Sequence, residues 1–208
     1  MNKQLHSKWG WWLLFVAIVG DFAVPFVLAI FYDGYSHMKE VMSALGNPSS
    51  PVRWFYNIWL VALGVLLIIS CVSIYRKYSL VSKRISRAVI MLIYCFAVGA
   101  GILAGLFSVN ESRDTVTTAS LIHGIGSALG FMAMLFVPLL IAIMSFKSHD
   151  RSCGIACLIS FLLSLGCFVL FIMAEKNLIA SEGLWERLTL LFMYVPLGYI
   201  ATQNVFFK

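Results

Sequence analysis

Six stretches of about twenty mostly apolar residues divide this chain from end to end: Trp11–Phe31, Trp54–Tyr75, Ala88–Phe107, Thr118–Met144, Cys153–Ala174 and Leu188–Phe206. About 20 apolar residues are what a helix needs to cross the hydrocarbon of a bilayer. In lipid every backbone polar group must be satisfied internally, so a spanning segment is a helix or part of a closed barrel. Barrel strands alternate polar and apolar residues over about ten positions, and no segment here does so. The chain therefore reads as an all-α, polytopic integral membrane bundle of six transmembrane helices, one domain over residues 1–208. Composition agrees: 61% of residues are hydrophobic and 12% charged, against about 45–50% and about 25% in a soluble domain. Lys3 and Lys8 precede the first span in the manner of a signal peptide. The apolar run exceeds the 7–15 residues of a signal core by about half and lacks a small-residue cleavage site, so it is read as a retained span. Pro25, Pro138 and Pro196 fall inside spans, where a kink is tolerated. No inverted repeat relates the two halves.

Orientation follows from the basic residues, which accumulate on the cytoplasmic side. With the N-terminus inside, Lys3, Lys8, Arg76, Lys77, Lys83, Arg84, Arg87, Lys147, Arg151 and Lys208 are inner, ten of the fifteen. Lys39, Arg53, Arg113, Lys176 and Arg187 are outer. The Arg76–Arg87 loop, with five positive charges and no acid, decides the assignment: both termini are expected on the cytoplasmic side. The net charge of +6 then suits anionic headgroups. No nucleic-acid module is present, and the expected partners are membrane lipids. The five cysteines form no CxxC, and Cys153 and Cys157, one turn apart, read as small apolar residues.

Chemistry-bearing residues concentrate in the first outer loop and in two spans. From Ser36 to Gly46 the loop has a plausible N-cap, an apolar stripe of Met38, Val41, Met42 and Leu45, and a plausible C′ glycine. That predicts a short interfacial helix at the membrane surface. Its free N–H groups, beside Ser36 and His37, would attract an anion; a purely structural cap is the competing reading. Asp21 lies mid-span, where a carboxylate costs about 2.5–3.5 kcal/mol and commonly faces the bundle interior. Ser120, His123, Ser127 and Gly130 share one face of the fourth span. Gly101 and Gly105 form a GxxxG in the third, permitting close helix approach.

The run Tyr35-Ser36-His37, with Ser43, Leu45-Gly46, Ser50-Pro51, Phe55 and Asn57, resembles the prokaryotic membrane family called domain of unknown function 998. Gly105-Leu106-Phe107 and His123 with Ala128 and Phe131 extend the resemblance over nearly the whole chain. The family pattern continues with a Pro and an Asp where this chain has Ser108 and Asn110, so an acidic ligand there would have to come from Glu111 or Asp114. The resemblance implies a compact multi-span bundle and no established activity.

The leading expectation is an outward-facing polar pocket that binds a lipid or other amphiphile, with Ser36, His37, Ser43, Arg53, Asn57, His123 and Ser127 as its ligand-binding residues. Its sharpest form is a phosphate-bearing lipid whose headgroup meets both His37 and His123. The alternative is a metal-dependent intramembrane lipid hydrolase in which Asp21, His37 and His123 hold zinc and activate water. Haem held between His37 and His123 ranks third. Asp21 is expected to face the fourth span, next to His123 or a serine of its face.

Overall fold

The computed structural model describes residues 2–110 and 116–207. Six helices are long and apolar enough to cross a membrane: Lys8–Ala29, Arg53–Tyr78, Lys83–Leu106, Thr118–Lys147, Arg151–Glu175 and Glu182–Phe206. No strand occurs among the described residues. The chain is a multi-pass membrane protein, and these helices are its first to sixth spans.

Several spans outrun the apolar stretches because their polar ends are capped. Ser82 accepts the Ile85 N–H to start the third span, and Asp150 accepts the Cys153 N–H to start the fifth. Thr117 and Ser120 form a capping box at the head of the fourth. Each cap satisfies an N–H that the first turn leaves without a partner.

The spans form a ring in chain order. Each packs on its sequence neighbours, and the sixth closes on the first. The second, third and fourth spans meet almost backbone to backbone. A Cβ on Gly101 would come within 2.9 Å of the Gly64 Cα, and one on Gly99 would overlap the Gly126 carbonyl. The glycines of the third span thus serve packing inside this chain. There the backbone loosens into a π-helical stretch, Ala97–Leu103, a form frequent near functional sites.

The fourth span is broken. Pro138 has no N–H to continue the ladder, and the helix ends at Leu135 and restarts at Val137. The segment after the break lies along the fifth span, whereas the segment before it approaches that span at few points, Phe131 meeting Phe171 at 6.4 Å between ring centroids. A seam therefore runs between the fourth and fifth spans over the half of the bundle nearer the 30–52 loop.

That loop folds over its end of the bundle. The expected helix from Ser36 is not formed as one piece. The Ser36 carbonyl accepts the Lys39 and Glu40 N–H groups in a single turn. Val41 is extended, and a 3₁₀-helix follows over Met42–Gly46. Met42 and Leu45 are buried, so the stripe faces protein and not only lipid. Gly46 lies inside this helix, against Asn57, with no room for a Cβ. The Asn47 side chain accepts the Ser49 and Ser50 N–H groups, at 2.9 and 2.8 Å, turning the chain into the second span. The Asn57 amide donates to the Ser108 hydroxyl at 3.1 Å, linking the head of the second span to the chain beyond the third.

Candidate functional site

The ring encloses a cavity of about 1050 Å³, larger than the 300–1,000 Å³ common for small-molecule sites by a small margin. Its lining is divided. Lys39, Glu40, Ser43, Asn47, Asn110, Ser120 and Glu182 form a polar zone at the loop-covered end. Leu60, Leu63, Phe96, Ala100, Phe131, Phe168 and Phe171 form apolar walls further in. Leu121, Ile125 and Met132, on the fourth span beside the seam, also contribute. Each of these three is about half exposed, so the cavity reaches the surface that faces acyl chains.

Asp21, Tyr56, His123, Ser127 and Glu186 line the same space. Asp21 is 3% exposed, and the Tyr194 hydroxyl donates to its Oδ2 at 2.9 Å. Trp59 also reaches this carboxyl, although its indole Nε1 makes no hydrogen bond of ordinary geometry. Asp21 thus faces the interior, as its depth demands, but its partner comes from the sixth span and not the fourth. Tyr194 follows the apolar rhythm of its span, and its phenol is the signal that identifies it: a buried hydroxyl needs an acceptor.

His123 closes the third span. Its Nδ1 lies 2.8 Å from the Phe107 carbonyl and 3.2 Å from that of Ala104. Carbonyls only accept, so Nδ1 carries the proton, and in the neutral ring Nε2 keeps its lone pair. The imidazole therefore satisfies carbonyls that the end of a helix leaves open, and presents one acceptor beside the cavity.

His37 stands elsewhere. It lines a separate small pocket with Phe22, Pro25, Phe26, Met42 and Arg187, its ring stacked on Phe26 at 4.9 Å between centroids. The structure does not bring His37 and His123 to one cavity. Arg187 organises the His37 side. Its guanidinium donates to the carbonyls of Gly183 at 2.7 Å and Glu40 at 3.0 Å, and to the Tyr35 hydroxyl at 2.6 Å. It lies 3.3 Å from His37 Nδ1, which must accept from it. Partial burial, then the neighbouring Arg187 charge, hold His37 below its ordinary pKa of 6.5. Burial pushes the Tyr35 phenol up to about 12, against the opposing pull of Arg187.

Next to Arg187, Glu186 is 7% exposed and accepts the Met42 N–H at 2.6 Å; the Leu184 N–H donates to the Met38 carbonyl at 3.1 Å. Glu186 and Arg187 thus clamp the loop to the head of the sixth span. The sequence marks Arg187 only as an outer charge and gives Glu186 no role. The available signal was an adjacent acid and base within one turn of an apolar run, where one of the two must face protein.

Of the remaining expected binding residues, Ser43 and Ser127 line the large cavity, while Ser36, Arg53 and Asn57 line neither pocket. Ser36 binds within its own loop, and the Arg53 guanidinium lies over the Trp54 ring at 5.1 Å. Asn57 belongs to the loop scaffold. Glu111 and Asp114 lie outside the described residues. Among the described residues no group of three His, Cys, Asp or Glu side chains could hold a metal ion. The zinc set of Asp21, His37 and His123 is not brought together, because His37 stands in the separate small pocket while Asp21 and His123 line the large cavity.

A family model described as "Protein of unknown function (DUF998)" matches residues 15–203. No curated protein and no solved structure matches the chain.

Proposed function

The chain belongs to the DUF998 family, which carries no assigned activity, and from that premise we propose that it binds a membrane amphiphile in the large cavity. One observation carries the reading: a single cavity of about 1050 Å³ joins a polar zone under the loop to apolar walls, and it reaches the lipid-facing surface along the seam. A headgroup is accommodated where hydrogen-bonding groups converge, and a chain where they are absent. Entry from the bilayer avoids transferring the apolar chain through water. The uneven distribution of Lys and Arg supports an orientation with the loop-covered end on the non-cytoplasmic side of a prokaryotic cytoplasmic membrane.

Lipid mass spectrometry of the protein, purified in mild detergent, tests this reading. A defined amphiphile is expected to co-purify in a fixed ratio. Ala128 lines the cavity and is exposed within it, so Ala128→Trp should expel that species while the helical content stays unchanged. Retention of the same lipid by the filled cavity would refute the reading. Orientation is checked by cysteine labelling in intact cells: position 49 should react with an impermeant reagent and position 83 should not.

A further inference from the structure

The cavity has a charge sign as well as a shape, and what it says about the ligand rests on the amphiphile reading above. Asp21 and Glu186 both line the space, and both are less than a tenth exposed. Neither is hydrogen-bonded by a cation. Asp21 receives the Tyr194 phenol and Glu186 the Met42 backbone N–H. Arg187 approaches Glu186 no closer than 3.9 Å and directs its N–H groups at the loop. Among the described residues lining the cavity, Lys39 is the one Lys or Arg side chain, and it lies in the loop.

An anionic headgroup entering here would meet two desolvated carboxyls that offer it no counter-charge, an arrangement that low dielectric penalises strongly. A cation would instead supply the counter-charge that Asp21 lacks and that Glu186 has only from Arg187 at 3.9 Å. The apolar walls and the seam dictate the rest of the molecule. We propose that the cavity takes an amphiphile with an ammonium headgroup, held by Asp21 and Glu186, whose hydrocarbon chain passes the Phe131–Phe171 wall and leaves between the fourth and fifth spans. The phosphate-bearing lipid expected from the loop sequence is thereby replaced by a ligand of opposite charge.

The experiment uses the full chain in phosphatidylcholine nanodiscs and three photoreactive probes sharing one sixteen-carbon-class diazirine tail: a primary amine, an alcohol and a phosphate. The amine is expected to label the fourth and fifth spans saturably and at least about tenfold more tightly than the other two, the factor equivalent to about 1.4 kcal/mol. Asp21→Asn should weaken amine labelling about tenfold and leave alcohol labelling unchanged. Glu186→Gln should do the same, since its amide oxygen still accepts the Met42 N–H; this variant decides the matter if Asp21→Asn fails to fold. If the alcohol or the phosphate labels as tightly as the amine, the charge inference is wrong while amphiphile binding stands. If no probe gives saturable labelling that Ala128→Trp removes, both fall.

Discussion

Replacing Arg187 by Met tests how much of the loop's closure rests on its guanidinium. Methionine preserves the aliphatic stem and removes the guanidinium, which makes three contacts across elements: the Glu40 carbonyl, the Tyr35 hydroxyl and His37 Nδ1. A hydrogen bond to a charged group contributes about 1.5–3 kcal/mol. The three share one group and are not additive, and the Arg187 side chain keeps 18% of its exposure. A net loss of about 3 kcal/mol from closure of the loop is therefore expected. The Glu186–Met42 and Leu184–Met38 bonds still tether the loop, so it should loosen without detaching, while the spans, packed on one another, should hold. Hydrogen exchange read by mass spectrometry should show amides of residues 33–47 exchanging roughly a hundredfold faster, at about 1.4 kcal/mol per tenfold. Amides in the middle of the second and fifth spans should be unchanged. Arg187→Lys should fall between, because an ammonium cannot reach both sides of the fork. Unaltered loop protection, or equal loss of protection in the spans, would refute the reasoning.

Tyr194→Phe withdraws the hydroxyl from the buried Asp21 carboxyl and should destabilise the protein by about 1–3 kcal/mol, read from thermal unfolding in detergent; an unchanged midpoint would contradict the pairing. Gly99→Val drives a side chain into the Gly126 carbonyl and should cost more than the 1–3 kcal/mol typical of overpacking, because backbone and not a flexible side chain must yield; a variant of native melting temperature would refute the close approach. His37 has a folded pKa below its unfolded value of 6.5, so the unfolded chain binds more protons between those two values. The loop's closure should be undiminished above pH 6.5 and weaken as pH falls below it. Loop proteolysis across that range provides the measurement, and His37→Gln should flatten the dependence.

The architecture was legible because a bilayer imposes a length and a polarity on each span and needs no knowledge of neighbours. The loop motif was legible too, but for scaffold more than for ligand: Gly46, Ser50 and Asn57 hold the cover in position. What was not legible depends on rotation about helix axes. Depth alone establishes that Asp21 faces inward; only the angular phase of the first and sixth spans selects Tyr194 over a residue of the fourth. The two histidines look equivalent in sequence, at the same end of the bundle. They part because one caps the third span and the other stacks on the first. Glu186 was obscured by its neighbour, since an acid beside an arginine resembles a solvated surface pair.

A ring assembled in chain order has a consequence for synthesis. As the chain leaves the ribosome, each new span can pack on the one before it, so five of the six contacts around the ring need no waiting. The sixth, between the last span and the first, is different. Asp21 and Tyr194 are 173 residues apart, and at about 5–20 residues per second the carboxyl enters the bilayer roughly 10–35 seconds before its phenol exists. During that interval it must stay at the headgroup region, be protonated, or borrow a partner. The loop meets the same delay, since Arg187 and Glu186 arrive with the same helix. The last span therefore seals the bundle and fastens the cover in a single late step, and a chain truncated before it should leave both a lone intramembrane acid and an open loop for quality-control proteases to recognise.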